Sequence, residues 1–75
     1  MGEAIVLIRV QPGREKEVLE KIRAIEEVKE ALSVTGRFDI VARTSAPDID
    51  MLGKITLEKI RALEGVLYTE TLIAV

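Results

Sequence analysis

One six-letter string occurs twice in this chain. Leu19-Glu20-Lys21-Ile22-Arg23-Ala24 returns letter for letter as Leu57-Glu58-Lys59-Ile60-Arg61-Ala62, and the likeness runs on through Ile25/Leu63, Glu26/Glu64 and Val28/Val66. In each copy, apolar residues at helical spacing give way to a β-rich run. In the first, Val18, Leu19, Ile22 and Ile25 share one helical face while Arg14, Glu17, Glu20 and Lys21 face water, which predicts a helix from Arg14 to Ile25 or Glu26. Glu17 and Lys21 stand four apart in the favourable order. The second helix is predicted over Ile49–Leu63, with Leu52, Ile55, Ile60 and Leu63 turned inward. Ser45 and Asp48 are its candidate N-caps, Pro47 suits a first turn, and Gly65 is the expected stop. Gly53 inside it costs about 1 kcal/mol relative to Ala, a cost that close packing would offset.

Strands are expected before and after each helix: Ala4–Val10, Val28–Thr35, Phe38–Thr44 and Val66–Val75. Gln11-Pro12-Gly13 ends the first, because Pro donates no ladder hydrogen bond and Gly weakens regular structure. Two strand–helix–strand units in one sheet make βαββαβ, an α+β, ferredoxin-like fold: a four-stranded antiparallel sheet with both helices on one face. The whole chain, 1–75, is read as one domain.

Nothing in this plan covers the other sheet face. Ile5 and Leu7 point one way along the first strand and Ala4, Val6, Ile8 and Val10 the other, so both sides are apolar, with Arg9 the exception. The uncovered side is expected to hold Ile5 and Leu7, part of the third strand, and alternate residues among Leu67, Thr69, Thr71, Ile73 and Val75. A 75-residue chain buries only about 60% of its unfolded surface. With no Cys for a disulfide and no His, a second subunit remains as the source of further burial. The expectation is a homodimer with two sheets face to face, and higher symmetric oligomers built from it.

The absent residues also narrow the chemistry. Without His or Cys there is no imidazole or thiolate catalysis and no ordinary zinc site, and no EF-hand spacing is present; neither a cofactor nor a metal is expected, and the chain is not read as an enzyme. Eleven basic residues against thirteen acidic ones, and only Phe38 and Tyr68 as aromatics, give neither a phosphate-binding footprint nor a stacking platform, so direct nucleic-acid binding is not expected. No segment reads as membrane-spanning or as a signal peptide, and a cytoplasmic location is expected. Abundant Glu, Lys, Ile and Val suit a heat-adapted source.

The middle of the chain carries the densest polar cluster at any predicted turn. Val34-Thr35-Gly36-Arg37-Phe38-Asp39-Ile40 joins two β-rich runs through a single Gly, which takes φ > 0 without a Cβ clash, and predicts a β-hairpin. This segment resembles the Gly-x-aromatic-Asp signature of the ligand-sensing RAM domain of Lrp/AsnC regulators. Val10-Gln11-Pro12-Gly13 and Gly65-Val66-Leu67-Tyr68-Thr69-Glu70-Thr71 resemble that domain's Pro-Gly start and its last strand. Full-length members carry a helix-turn-helix DNA-binding domain first, and the chain looks like a RAM domain standing alone.

The resemblance implies dimers assembled into larger rings, with a free amino acid bound between subunits near the hairpin and the last strand. Such a ligand needs an acceptor for its ammonium and donors for its carboxylate. Asp39 would accept; Gly36 would expose turn N–H groups; Arg37 or Arg43 would pair the carboxylate; Thr69 and Thr71 would donate hydroxyls, with Phe38 beside them. Each also has a structural use: turn geometry for Gly36, hairpin N–H groups or Arg43 for Asp39, solvation for Arg37, β-propensity for both Thr residues, and core or interface packing for Phe38. Two other readings stay open: an adaptor that co-assembles with full-length regulators, and a small dimeric α+β barrel enzyme.

Overall fold

The computed structural model describes residues 2–75. The elements run β1 (Gly2–Val10), α1 (Glu15–Arg23), β2 (Val28–Ser33), β3 (Ile40–Ala46), α2 (Ile49–Lys54, continued by a π-helical segment over Ile55–Ile60) and β4 (Val66–Ile73). The sheet is antiparallel throughout, in the order β2-β3-β1-β4, so the strands that follow the helices form its two edges. This is the βαββαβ arrangement that the repeated string predicts.

Ala4, Val6, Ile8 and Val10 of β1 and Ile40, Ala42 and Ala46 of β3 are buried against the helices. Val18, Ile22 and Ile60 lie with Val6, Ile8, Ile40 and Ala42 in one cluster, while Leu52 and Ile55 pack on Ala4 and Ala46 in a second. Asp48 caps α2, its Oδ1 accepting the Met51 N–H at 2.9 Å, whereas Ser45 lies within β3.

The second helix departs from the regular spacing expected of it. Ile55 and Ile60 are five apart, which on an α-helix at 100° per residue leaves them about 140° from one face. Widening the turn corrects this: the Arg61 N–H donates to the Thr56 carbonyl, five residues back, at 2.9 Å, and Ile60 becomes fully buried. Thr56 turns its hydroxyl to the Leu52 carbonyl at 3.2 Å. Gly53 has no close neighbour, since a Cβ built there meets nothing within 4 Å, so the packing expected of it is not found. Gly53→Ala is therefore expected to stabilise the domain by roughly 0.5–1 kcal/mol, read as a rise in denaturant midpoint.

Register decides which side chains share the uncovered face. Ala4, Val6 and Ile8 stand opposite Ile73, Thr71 and Thr69, which puts those three β4 residues on the helix side. The uncovered side instead carries Tyr68, Glu70 and Leu72, paired with Arg9, Leu7 and Ile5. The expected parity of β4 is thus reversed for these residues. A register shift between Arg9 and Val10 sets Val10 against Val66 and leaves Leu67 as the extra residue. Val41 and Leu32 complete the apolar part of this face, flanked by Arg43 between Glu3 and Glu30 at 3.7 Å each.

The two edges differ. Arg23 lays its guanidinium on the Ala31 carbonyl of β2, with Nε at 3.1 Å and Nη2 at 2.8 Å. Arg61 and Thr69 occupy the corresponding places in the second repeat, yet no such bond joins them among the described residues.

Exposed ion pairs tie helix ends to the turns. Lys59 donates to both Glu27 carboxylate oxygens at 2.9 and 3.0 Å, and Arg14 reaches Glu64 at 2.7 Å and Glu17 at 3.0 Å. The Lys59 hydrogen bonds hold the Glu27 carboxyl below the usual carboxylate range, as Arg14 does for Glu17. A carboxyl held lower in the folded state stabilises the fold above its ordinary value and stops doing so as pH falls through the folded one. The difference in urea midpoint between the wild type and Glu27→Gln is accordingly expected at pH 7, should shrink as pH drops below the ordinary value of about 4.5, and should vanish once pH is below the lowered folded value.

Candidate functional site

Residues 34–39 form the connection that the hairpin reading anticipates, with Gly36 at φ +117° and open space where a Cβ would stand. The Val34 N–H closes the connection on the Asp39 carbonyl at 2.9 Å. Asp39 latches it to β1: its N–H donates to Ile8 at 2.8 Å, and its Oδ2 accepts the Val10 N–H at 2.8 Å. That contact lies where the register of β1 with β4 shifts. The regular pairing of β3 accordingly begins at Ile40, two residues later than the Phe38 start expected.

Phe38 does not continue the Ile40–Ala42 face. It stacks on Tyr68, with ring centroids 6.3 Å apart and planes 21° from parallel. Arg9, Arg37, Phe38, Tyr68 and Glu70 then line a hollow of about 540 Å³. A second hollow of about 450 Å³ shares Arg9, Arg37 and Tyr68 and extends to Gly36, Asp39 and Glu15. Arg9 and Arg37 are exposed, and neither joins an ion pair among the described residues. The first hollow thus offers two uncommitted cations, one carboxylate and an aromatic wall.

Among the described residues no group of His, Cys, Asp or Glu is placed to hold a metal ion, and no helix is long and apolar enough to cross a membrane.

The sequence model for the Lrp/AsnC ligand binding domain matches residues 3–75. The chain belongs to the Lrp/AsnC family.

An HTH-type transcriptional regulator of Pyrococcus furiosus is 39% identical over 74 residues, covering 95% of this chain and 49% of that protein. The chain therefore spans about half the length of this relative. Among solved structures, FFRP-DM1 superposes with a TM-score of 0.95 at 36% identity, over 100% of both chains. Escherichia coli AsnC gives 0.91 at 27% identity, over 99% of this chain and 50% of its own. A transcriptional regulator of Neisseria meningitidis, solved as a complex with L-Met, shares the fold with a TM-score of 0.86 at 16% identity, over 99% of this chain and 49% of its own. The Pyrococcus relative is one of several from thermophilic archaea.

Within this Lrp/AsnC domain the residues singled out from sequence fall into separate groups. Gly36, Arg37, Phe38 and Asp39 gather at the hollows. Arg43 sits opposite Ile5, four residues along β1 from Arg9, or about 13 Å at strand rise, and is held between two carboxylates. Thr69 and Thr71, half-buried, lie on the helix side of β4, across the sheet from Arg43. Arg9, Tyr68 and Glu70 were not among the residues singled out. Arg9 is nevertheless legible as the lone charge in an apolar strand, whereas Tyr68 and Glu70 emerge only with the β4 register.

Proposed function

We propose that this domain is an amino-acid-sensing, oligomer-forming regulatory module: two sheets stack through their uncovered faces, and a free amino acid binds between subunits close to the 34–39 connection. The observation that carries this reading is the convergence of Arg9, Arg37, Phe38, Tyr68 and Glu70 on one hollow beside an apolar sheet face. An amino acid needs donors for its carboxylate, an acceptor for its ammonium and an apolar wall for its side chain; guanidinium, carboxylate and aromatic ring supply these in turn. The family membership and the L-Met bound by the Neisseria regulator support the ligand class. Ile5, Leu7, Val41 and Leu32 form the apolar centre of the face, with Leu72 at its edge, and support stacking of a second copy.

Calorimetry and thermal shift against the twenty amino acids test this. A ligand at a hundred times its dissociation constant adds about 2.7 kcal/mol of stability, well above detection. Silence from all twenty would reject the reading.

A further inference from the structure

The hollow on the uncovered side has a definite charge pattern. Arg9 and Arg37 contribute two guanidiniums and Glu70 one carboxylate, and none of the three joins an ion pair among the described residues. Glu70 lies opposite Leu7, one step along the same face from the Arg9–Tyr68 pair, a diagonal of about 7–8 Å. Long side chains can span such a diagonal, yet Arg9 and Glu70 form no ion pair among the described residues, which leaves both open to a small molecule held between them. Phe38 and Tyr68, stacked beside it, offer a wall for a short run of methylene carbon.

We infer that the ligand of this hollow is a dicarboxylic α-amino acid of the size of aspartate or glutamate: Arg9 and Arg37 each take one carboxylate, and Glu70 takes the ammonium. This assignment rests on the function proposed above and specifies its ligand. Each charge of the ligand then meets one opposite charge of the hollow. A neutral amino acid fills only one guanidinium. While the face is open, water solvates the other; once a second copy closes over it, an unpaired cation is desolvated, and that penalty separates acid from amide. Asparagine and glutamine match the acids in shape and differ in this charge alone, so they are the decisive competitors. Arginine suits the role because its planar fork donates two parallel hydrogen bonds to a carboxylate.

The test is calorimetry on the assembled protein with L-aspartate, L-glutamate, L-asparagine, L-glutamine and succinate. At least one acid is expected to bind tenfold or more tighter than its amide, and succinate, which lacks the ammonium, tenfold or more weaker than aspartate. Arg9→Gln and Arg37→Gln should each abolish the acid-over-amide ratio while leaving the melting temperature without ligand in place, since neither side chain makes a hydrogen bond or ion pair among the described residues. Equal binding of acids and amides, a ratio that survives both substitutions, or succinate binding as tightly as aspartate overturns the assignment. In the first two cases an amino-acid-binding module still stands, whereas silence from every amino acid removes both.

Discussion

Leu7→Glu is expected to dissociate the proposed face-to-face dimer to the 8.3 kDa monomer at micromolar concentration, as read by light scattering or sedimentation. Leu7 lies mid-strand on the uncovered side, between Val41 of β3 and Glu70 of β4. In the proposed face-to-face dimer each copy would bring one new carboxylate into the apolar contact, beside the Glu70 already there. Burying an uncompensated ion costs several kcal/mol, and two per dimer weaken association by at least about 10³-fold. The variant monomer should keep its helical and strand signals, because Leu7 points away from the core that Val6 and Ile8 enter. A variant that stays assembled at that concentration would show that copies meet through some other surface.

Asp39→Ala is expected to destabilise the domain by about 1–3 kcal/mol, the usual cost of leaving a buried donor unpaired. At roughly 4–8 °C per kcal/mol for a domain of this size, the change is easily seen in a melt. The donor is the N–H of Val10, a residue only 3% exposed, which gives its hydrogen bond to Asp39 Oδ2. Asp39→Asn keeps an acceptor oxygen at that place and removes only the charge, so it should recover most of the loss. The pair also separates two roles for this side chain. If Asp39→Asn melts near the wild type yet loses amino-acid binding, the carboxylate meets ligand as well as Val10; if both are kept, its work is holding the loop to β1.

The architecture was legible because the repeated string pins two equivalent helix ends, and two such strand–helix–strand units with right-handed crossovers in one sheet give the arrangement observed. Element limits were less so, since hydrogen bonding rather than side-chain pattern sets them: Phe38 looks like strand, but its ring is taken by Tyr68. The five-residue gap between Ile55 and Ile60 was visible, yet a gap alone does not say whether the helix widens or one Ile turns outward. The parity of β4 was not legible at all. Leu67 and Ile73 on one parity and Tyr68 and Leu72 on the other are all large and apolar, and a single extra residue next to Arg9 decides between them. The site inherited that ambiguity. Gly36, Arg37, Phe38 and Asp39 are local in sequence and were found together, whereas their cross-strand neighbours Tyr68 and Glu70 depend on pairing across about sixty residues of chain.

Fibre growth by strand addition requires that every newcomer present a fresh edge as receptive as the one it consumed. On β2 that condition fails, because the Arg23 guanidinium occupies the Ala31 carbonyl and the pairing slips between Val28 and Glu30. The β4 edge carries no such clamp, the Arg61 copy being unmade among the described residues. Joining β4 to β4 would consume both open edges at once and stop at a pair, so the clamp on β2 would work against open-ended strand addition.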